Sequence, residues 1–230
     1  MSTPENAVVS RWEPTPRWER RYREVLGVAA TIFAEKGYTG ASTRDIADRL
    51  GVRQASLYYY FPSKEAALHA ICELGVKDFI ANLEGVIATL APIEEKLRAA
   101  IANHLLPLRT HPEADYVRVF LRHRHELPDG MRHTIAALAR KYTSLVERLF
   151  LEGRASGELR ADLDPHLNAL ALLGLCNSVL ANRSLPRTAS IDEIVEAYAR
   201  IIIGGVVAKG VQSKRVPVRR PRPRRKTKPG

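Results

Sequence analysis

The 230-residue sequence predicts an all-α protein, and three observations carry that prediction. Apolar residues recur at spacings of three and four along most of the chain. Glycine and proline interrupt this pattern where helices are expected to end, as at Gly37, Gly51 and Pro92. No segment shows sustained alternation of apolar and polar residues, so a sheet-based fold is not expected.

The helical segments follow one another at short intervals. The first runs from Arg17 to Lys36, with an apolar stripe from Tyr22 to Phe33. Ser42 and Asp45 have the spacing of a capping box for a second helix that Gly51 ends. A third helix is expected over residues 54–60, and Ser63 caps a long fourth one. Further helices are expected over residues 93–109, 113–126, 129–155, 165–183 and 190–208.

The net charge of +11 is concentrated at one end of the chain. Residues 209–230 contain ten lysines and arginines and no acid, so the remaining residues carry about +1. Four prolines lie among these charges, which predicts a disordered basic tail that favours polyanions such as DNA. Residues 1–16 contain three prolines with polar neighbours, and we expect a flexible arm there.

Several function classes are disfavoured by the sequence. Cys72 and Cys176 are isolated, which fits two packed thiols in a reducing, cytoplasmic compartment. The N-terminus does not have the pattern of a signal peptide. The longest apolar run, residues 169–176, is too short to span a membrane. No G-x-S-x-G, P-loop or H-E-x-x-H motif is present, so we predict neither an enzyme nor a cofactor.

The segment STRDIADRLGVRQASLYYYFPSK, residues 42–64, predicts a helix-turn-helix. Two short helices are joined by a tight turn at residues 50–53, and in this motif the second helix enters the major groove of DNA. Gln54 can pair with adenine and Ser56 can donate or accept, while Arg44 can reach guanine or phosphate. The predicted DNA-binding residues are Ser42, Thr43, Arg44, Arg53, Gln54, Ala55, Ser56, Tyr58, Tyr59, Tyr60 and Lys64.

The spacing alone leaves another interpretation open. Two short amphipathic helices with a glycine between them also occur in proteins that do not bind DNA. In that case, the three consecutive tyrosines would belong to the core.

Three strings in this region resemble the tetracycline-repressor (TetR) family of bacterial regulators. They are AATIFAEKGYTGAS, TRDIADRLGV and LYYYFPSKEAAL, and the resemblance covers about residues 20–70. It implies a homodimer on palindromic operator DNA, in the bacterial cytoplasm and associated with the nucleoid. Thr43 and Lys64 would contact phosphates, and Tyr58 and Tyr59 the backbone or a thymine methyl. Bases would be faced by Arg44, Gln54, Ala55 and Ser56.

The same resemblance divides the chain into a DNA-binding domain at residues 17–62 and a ligand-binding and dimerisation domain at residues 63–208. We therefore predict a repressor that a small hydrophobic or amphipathic effector releases from DNA. Dimer contacts are expected in the last two helices, although a buried core helix of a monomer would show the same apolar pattern. The predicted interface residues are Leu167, Leu170, Ala171, Gly174, Ala181, Ala197 and Ile201.

The effector pocket is expected between the long fourth helix and residues 93–155. Its candidates are Phe79, Leu83, His104, Leu108, Val117, Phe120, Leu121, Tyr142, Leu145, Leu149, Leu173 and Asn177. The stretch GRASGELRADLDPHLNALALLGLCN is also similar to an acyl-CoA-responsive subgroup of the family. This chain has Ser178, Val179 and Leu180 where that subgroup often has an aromatic residue.

Two charged clusters allow further hypotheses. Arg118, Arg122 and His125 fall on one side of a helix, where they would steer an anionic ligand or simply form a solvated face. His123 and Glu126 share a face, but two ligands do not make a metal site, and none is predicted. A protein of another class also fits the basic tail: an architectural protein that binds DNA without sequence preference.

Overall fold

A computed structural model describes residues 15–105, 107, 113–181 and 190–208, and every extended regular element in these ranges is a helix. An isolated β-bridge joins Leu159 to Val207. A 3-10 turn at Arg124–Glu126 follows the sixth helix. The α-helices are α1 Pro16–Lys36, α2 Thr43–Leu50, α3 Gln54–Leu57, α4 Lys64–Ile87, α5 Ile93–Leu105, α6 Glu113–His123, α7 Asp129–Ala155, α8 Pro165–Ala181 and α9 Ile191–Val206. The all-α prediction is confirmed. The expected arm up to residue 14 and the basic tail from residue 209 lie outside the described residues.

Capping residues set the helix limits that the sequence indicated. The Ser42 side chain accepts from the Asp45 N–H at 3.1 Å, and the Asp45 carboxylate accepts from the Ser42 N–H at 2.8 Å. Hydrogen bonds from Lys36 and Ser42 lower the pKa of Asp45 to about 2. Gly51 then ends α2 with φ of +65°, a conformation that is unfavourable for residues with a Cβ.

The third helix is shorter than predicted. It ends at Leu57 rather than at residue 60, and residues 58–60 form a turn. The N–H groups of Tyr60 and Phe61 both donate to the Leu57 carbonyl, at 2.8 and 3.0 Å, which tightens the last turn. Pro62 prevents the helix from continuing.

One hydrophobic core organises the N-terminal part of the chain, which we call the head. It joins α1, α2 and α3 to the first half of α4, where Leu68, Ile71 and Cys72 are fully buried. Tyr116 and Val119 of α6, Leu127 just before α7 and Ile135 of α7 also belong to this core. The predicted domain limit at residue 63 falls at the start of α4, whereas the packing of the head continues about two turns further and includes α6.

A second core forms the body from the rest of α4 and from α5, α7, α8 and α9. Lys96 is almost completely buried there, and its ammonium donates to Glu152 at 2.6 Å and to the Ile87 carbonyl at 3.2 Å. Helices α4, α6 and α7 each contribute buried residues to both cores, so they connect head and body. Among the described helices, none has the length and apolar character required to cross a membrane.

Candidate DNA-binding surface and ligand cavity

Helices α2 and α3 form a rigid unit on the head. Ile46, Ala47 and Leu57 are buried between the helices, and Val52 packs against them in the turn. The Val52 N–H donates to the Ala47 carbonyl at 3.1 Å, which closes the turn. This packing fixes the start of α3 relative to α2, as a helix-turn-helix requires.

The residues expected to face DNA lie on the outside of this unit. Gln54, Ala55 and Ser56 are exposed, as are Ser42, Arg44 and Arg53. The Gln54 side-chain amide donates to Thr43 Oγ1 at 2.7 Å, so the first residues of α2 and α3 are neighbours. We call the exposed segment Gln54–Ser56 the reading segment.

The tyrosines divide between surface and packing roles. Tyr58 and Tyr59 are 52% and 66% exposed, so they do not belong to the core. Tyr60 is half-buried, with its ring 6.4 Å from that of Trp18. The alternative in which all three rings are core residues is wrong for Tyr58 and Tyr59.

Lys64 has partners inside the head. Its ammonium donates to the carbonyls of Tyr38 and Ala41, both at 3.0 Å, and lies 4.5 Å from the centre of the Tyr38 ring. Burial raises the pKa of Tyr38 above its ordinary value. An ammonium has three donors, so one remains for a phosphate, and that contact stays a prediction.

The sequence analysis missed a basic depression between α1 and Tyr60, the last residue of the turn after α3. We call it the α1 cleft. Arg17, Arg20 and Arg21 line it, together with Thr15, Trp18, Glu24 and Tyr60. The sequence signal was the run of arginines at the start of α1. It was overlooked because only the fold brings α1 next to Tyr60.

A cavity of about 380 Å³ lies in the body where α4, α5, α6, α7 and α8 meet. We call it the apolar cavity. The structure places eight predicted effector residues on its wall: Phe79, His104, Val117, Phe120, Leu121, Tyr142, Leu173 and Asn177. Further wall residues not foreseen include Gly75, Val76, Tyr116, Ala139 and Thr143.

Some predicted effector residues are placed elsewhere. Leu83 and Leu149 are buried in the body core, and Leu145 packs against that core. They follow Phe79 and Tyr142 by one or two helical turns, beyond the end of the cavity, and apolar periodicity does not distinguish a core position from a cavity wall. Leu108 lies outside the described residues.

Three polar side chains meet in the wall of the apolar cavity. His104 lies between Tyr142 Oη, 2.9 Å from Nδ1, and Asn177 Oδ1, 3.1 Å from Nε2. A carboxamide oxygen only accepts, so Nε2 carries the hydrogen and the tyrosine hydroxyl donates to Nδ1. Burial lowers the pKa of His104 to about 4, so the ring is neutral at neutral pH.

The basic residue that lines the apolar cavity is not one of those predicted to steer an anionic ligand. Arg124 lines the cavity, with its guanidinium 4.7 Å from the centre of the Phe120 ring. Arg118, Arg122 and His125 do not line it, and Arg118 forms an ion pair with Asp115 at 2.8 Å. Arg124 follows Val117 by seven residues and Phe120 by four, so it continues the face of α6 that lines the cavity, whereas Arg118, Arg122 and His125 belong to a neighbouring face.

A second depression of about 320 Å³ adjoins the first, and we call it the basic cleft. Arg124 and Ala139 belong to both walls. The rest of the basic cleft consists of His125, Arg132, Ile135, Ala136 and Arg140.

The predicted interface residues fall into three groups. Leu167 is 63% and Ile201 62% exposed, and Ala171 is also exposed, so these residues are not core positions of the single chain. Leu170 and Gly174 are exposed but also line the apolar cavity, which the sequence did not indicate. Ala197 is half-buried, and the side chain of Ala181 lies outside the described part of the chain.

The histidine and glutamate considered as metal ligands contact each other instead. His123 Nδ1 lies 2.7 Å from Glu126 Oε1. Within the described ranges, no group of three histidine, cysteine, aspartate or glutamate residues has a geometry suited to a metal ion.

Comparison with known proteins gives the family. Residues 25–71 match the sequence family of bacterial regulatory proteins, tetR family, and residues 90–206 match the tetracyclin repressor-like C-terminal domain. The chain belongs to the TetR family. It is therefore a transcription regulator with a DNA-binding helix-turn-helix, and the predicted resemblance is confirmed.

Similar proteins are named as regulators rather than as enzymes. The fatty acid metabolism regulator protein of Bacillus subtilis (strain 168) is 28% identical over 155 residues, covering 67% of this chain and 78% of that protein. The HTH-type transcriptional repressor KstR2 of Rhodococcus jostii (strain RHA1) is 26% identical over 197 residues, covering 82% and 92%. The crystal structure of AibR in complex with isovaleryl coenzyme A and operator DNA superposes with a TM-score of 0.68 at 27% identity, covering 79% and 97%.

Proposed function

We propose that this TetR-family protein is a repressor that binds palindromic operator DNA as a homodimer and is released by a small amphipathic effector. The observation that carries the proposal is the exposed reading segment, held beside the N-terminus of α2 by the bond from Gln54 to Thr43. Side chains at that position of a helix-turn-helix reach base edges in the major groove.

Dimerisation is supported by the apolar surface of the last two described helices. Leu167 and Leu170 on α8 and Ile201 on α9 are large side chains exposed to solvent in the single chain. Large apolar side chains left exposed on two helices that contact each other are typical of a protein interface. A two-fold dimer would place two reading segments about 34 Å apart, one turn of B-DNA.

The effector is proposed to occupy the apolar cavity. Its wall is mostly aliphatic and aromatic, with the polar group of His104, Tyr142 and Asn177 on one side. This composition suits an acyl chain carrying a carbonyl, since apolar walls hold the chain and a few polar groups orient it. Acyl-CoA thioesters are the class we favour, and the names of the fatty acid regulator and of the AibR complex support this choice.

Two connections could carry the effector signal to the head. Helix α4 extends from the apolar cavity, where Phe79 lies, to Lys64, whose ammonium holds the turn before α2. Glu126 lies two residues after the cavity residue Arg124, in the 3-10 turn. It accepts a hydrogen bond from Thr39, which lies in the turn before α2. An effector that binds more tightly to the conformation unsuited to DNA shifts the population away from the operator.

A selection experiment tests this proposal. The full chain is used to enrich DNA from a random duplex library, and the enriched sequence is then titrated with and without octanoyl-CoA, butyryl-CoA and free fatty acids. We expect an inverted repeat to be enriched and at least one acyl-CoA to weaken its binding. If no sequence is enriched, the proposal of a specific operator is refuted. If a sequence is enriched but no acyl-CoA weakens its binding to the protein, the proposed effector class is refuted.

The basic tail supports a second candidate, a DNA-binding protein without sequence preference. Ten lysines and arginines without acids are sufficient for strong, salt-dependent binding to any duplex. A chain ending at residue 208 separates the two candidates. The repressor proposal predicts retained choice of operator with lower affinity and a flatter salt dependence, and the architectural proposal predicts that binding is lost.

A further inference from the structure

We propose that the basic cleft is an anion subsite that holds the phosphate-bearing end of the effector, while the acyl end occupies the apolar cavity. This inference rests on the proposed function, because it assigns the second half of the same ligand. The ligand class is an ester or thioester of an apolar acid with a carrier that bears phosphate groups.

Continuity of the two depressions is the first argument. Arg124 and Ala139 line both, so a ligand leaving the apolar cavity at this point enters the basic cleft directly. Arg124 covers the Phe120 ring and donates to the Phe120 carbonyl at 3.4 Å, which places its guanidinium at the junction. A single amphipathic molecule thus meets an apolar wall first and a cationic wall next.

The charge of the basic cleft is the second argument. Its wall contains Arg124, Arg132, Arg140 and His125 and no acidic residue. Arg132 forms an ion pair with Asp129, which does not line the cleft, and donates to the His125 carbonyl at 3.3 Å. Arg140 is exposed and makes no hydrogen bond or ion pair with any described residue, so its guanidinium is available for a ligand.

The arrangement along α7 favours phosphate over a carboxylate. Arg132, Ala136 and Arg140 are four residues apart, so they lie on one face, and the two arginine Cα atoms are separated by about 12 Å along the helix axis. The alanine between them leaves room at the floor of the cleft. A fatty-acid carboxylate would need one guanidinium, whereas several arginines over this distance match a carrier with phosphates at more than one position.

The position of Arg124 also connects the subsite to the head. The 3-10 turn Arg124–Glu126 contains both the residue at the junction and the residue that accepts from Thr39. Occupation of the subsite by an anion therefore acts on a segment that contacts the head. A free fatty acid, which lacks the phosphate-bearing carrier, would fill the apolar cavity but leave the bond between Thr39 and Glu126 unchanged.

Calorimetric titration of the full chain tests the assignment with octanoyl-CoA, octanoic acid and free CoA as probes. The variants are Arg140→Gln and the double variant Arg132→Gln/Arg140→Gln. Arg154→Gln, an exposed arginine on the same helix and outside the cleft, is the matched control. We expect the double variant to bind octanoyl-CoA at least tenfold more weakly and free CoA undetectably, with octanoic acid binding unchanged. The control should match the wild-type protein for all three probes.

Equal affinity of the wild-type protein and the double variant for octanoyl-CoA would overturn the subsite. If octanoyl-CoA nevertheless released the operator, the proposed function would stand without it. If free CoA bound, and the double variant lost that binding, while octanoyl-CoA failed to release the operator, the subsite would stand and the proposed release would be wrong. Absence of binding by all three probes would overturn both.

Discussion

Thr39 donates a hydrogen bond from its hydroxyl to Oε2 of Glu126, 3.2 Å away, and so joins the turn before α2 to the turn after α6. His123 contacts the other carboxylate oxygen of Glu126 at 2.7 Å. Burial opposes ionisation of Glu126, but the hydrogen bonds from His123 and Thr39 outweigh it and lower the pKa of this carboxyl. The contact is therefore a charge-assisted bond between the DNA-binding head and the segment that lines the ligand cavity.

We expect Thr39→Val to weaken the communication between ligand and operator. The substitution keeps the shape of the side chain but removes the donor to Glu126. Operator affinity without ligand should stay within about twofold of the wild-type value. The factor by which octanoyl-CoA weakens operator binding should fall severalfold, because coupling free energies between two sites are typically only about 1–3 kcal/mol. Fluorescence anisotropy with labelled operator measures both. Thr134→Val, on the exposed side of α7, is the control, and an unchanged coupling factor in T39V would show that this bond does not transmit the signal.

His104 should make the protein less stable in weak acid. Burial lowers its pKa from the ordinary value of 6.5 to about 4, so the unfolded chain binds this proton below pH 6.5 while the folded chain does not bind it until about pH 4. Stability is therefore lost as the pH falls through this window, by about 1.4 kcal/mol per pH unit and about 3 kcal/mol in total.

Urea unfolding at several pH values between 4.5 and 7 measures this slope. His104→Gln should be less stable at pH 7, since it disturbs the contacts with Tyr142 and Asn177, but its stability should depend less steeply on pH. His133→Gln, at an exposed position on α7, should retain the wild-type slope. Parallel slopes for H104Q and the wild-type protein would contradict the buried, neutral histidine.

Leu167→Glu should break the proposed dimer. Leu167 is 63% exposed on α8, and a charge buried at an interface without a partner is strongly unfavourable. Leu90→Glu is the matched control, because Leu90 is fully exposed in the loop between α4 and α5. Analytical ultracentrifugation should show a monomer only for L167E, with weak operator binding. A dimeric L167E that binds the operator normally would exclude this face of α8 as the interface.

Gly153 should not tolerate alanine. A Cβ at this position would lie 2.5 Å from Leu159 Cγ and 2.8 Å from Ile93 Cγ1, inside the body core. We expect Gly153→Ala to lower the free energy of unfolding by about 1–3 kcal/mol, as for other overpacked cores. Gly85→Ala on α4 meets open space and should raise it by up to about 1 kcal/mol. Urea midpoints for both variants give the comparison, and a G153A protein as stable as G85A would show that the core rearranges freely.

The sequence predicted helix ends best, because capping residues act through local hydrogen bonds or backbone geometry and do not depend on the tertiary fold. Ser42 and Asp45 predicted a capping box, and Gly51 predicted the end of α2. The structure has the capping box at Ser42 and Asp45 and a left-handed glycine at residue 51. It was less informative about the ligand cavity, because Phe79 and Leu83 have the same apolar character and only the packing of five helices decides which one faces the space. Arg124 was not predicted because periodicity shows which residues share a face of α6, and only the fold shows that the face of Val117, Phe120 and Arg124 lines the cavity. The α1 cleft could not be predicted, because it depends on the tertiary contact between Trp18 and Tyr60.

The central claim is that the reading segment recognises a specific operator, and one competition measurement tests it most directly. The labelled inverted repeat selected by the full chain is displaced with the same unlabelled duplex and with a scrambled duplex of equal length and composition, for the wild-type protein and for Gln54→Ala/Ser56→Ala. We predict that the wild-type protein prefers the repeat by about 10³-fold or more, and that the double variant loses most of this preference while retaining its affinity for scrambled DNA. A double variant that discriminates as well as the wild-type protein would contradict the account.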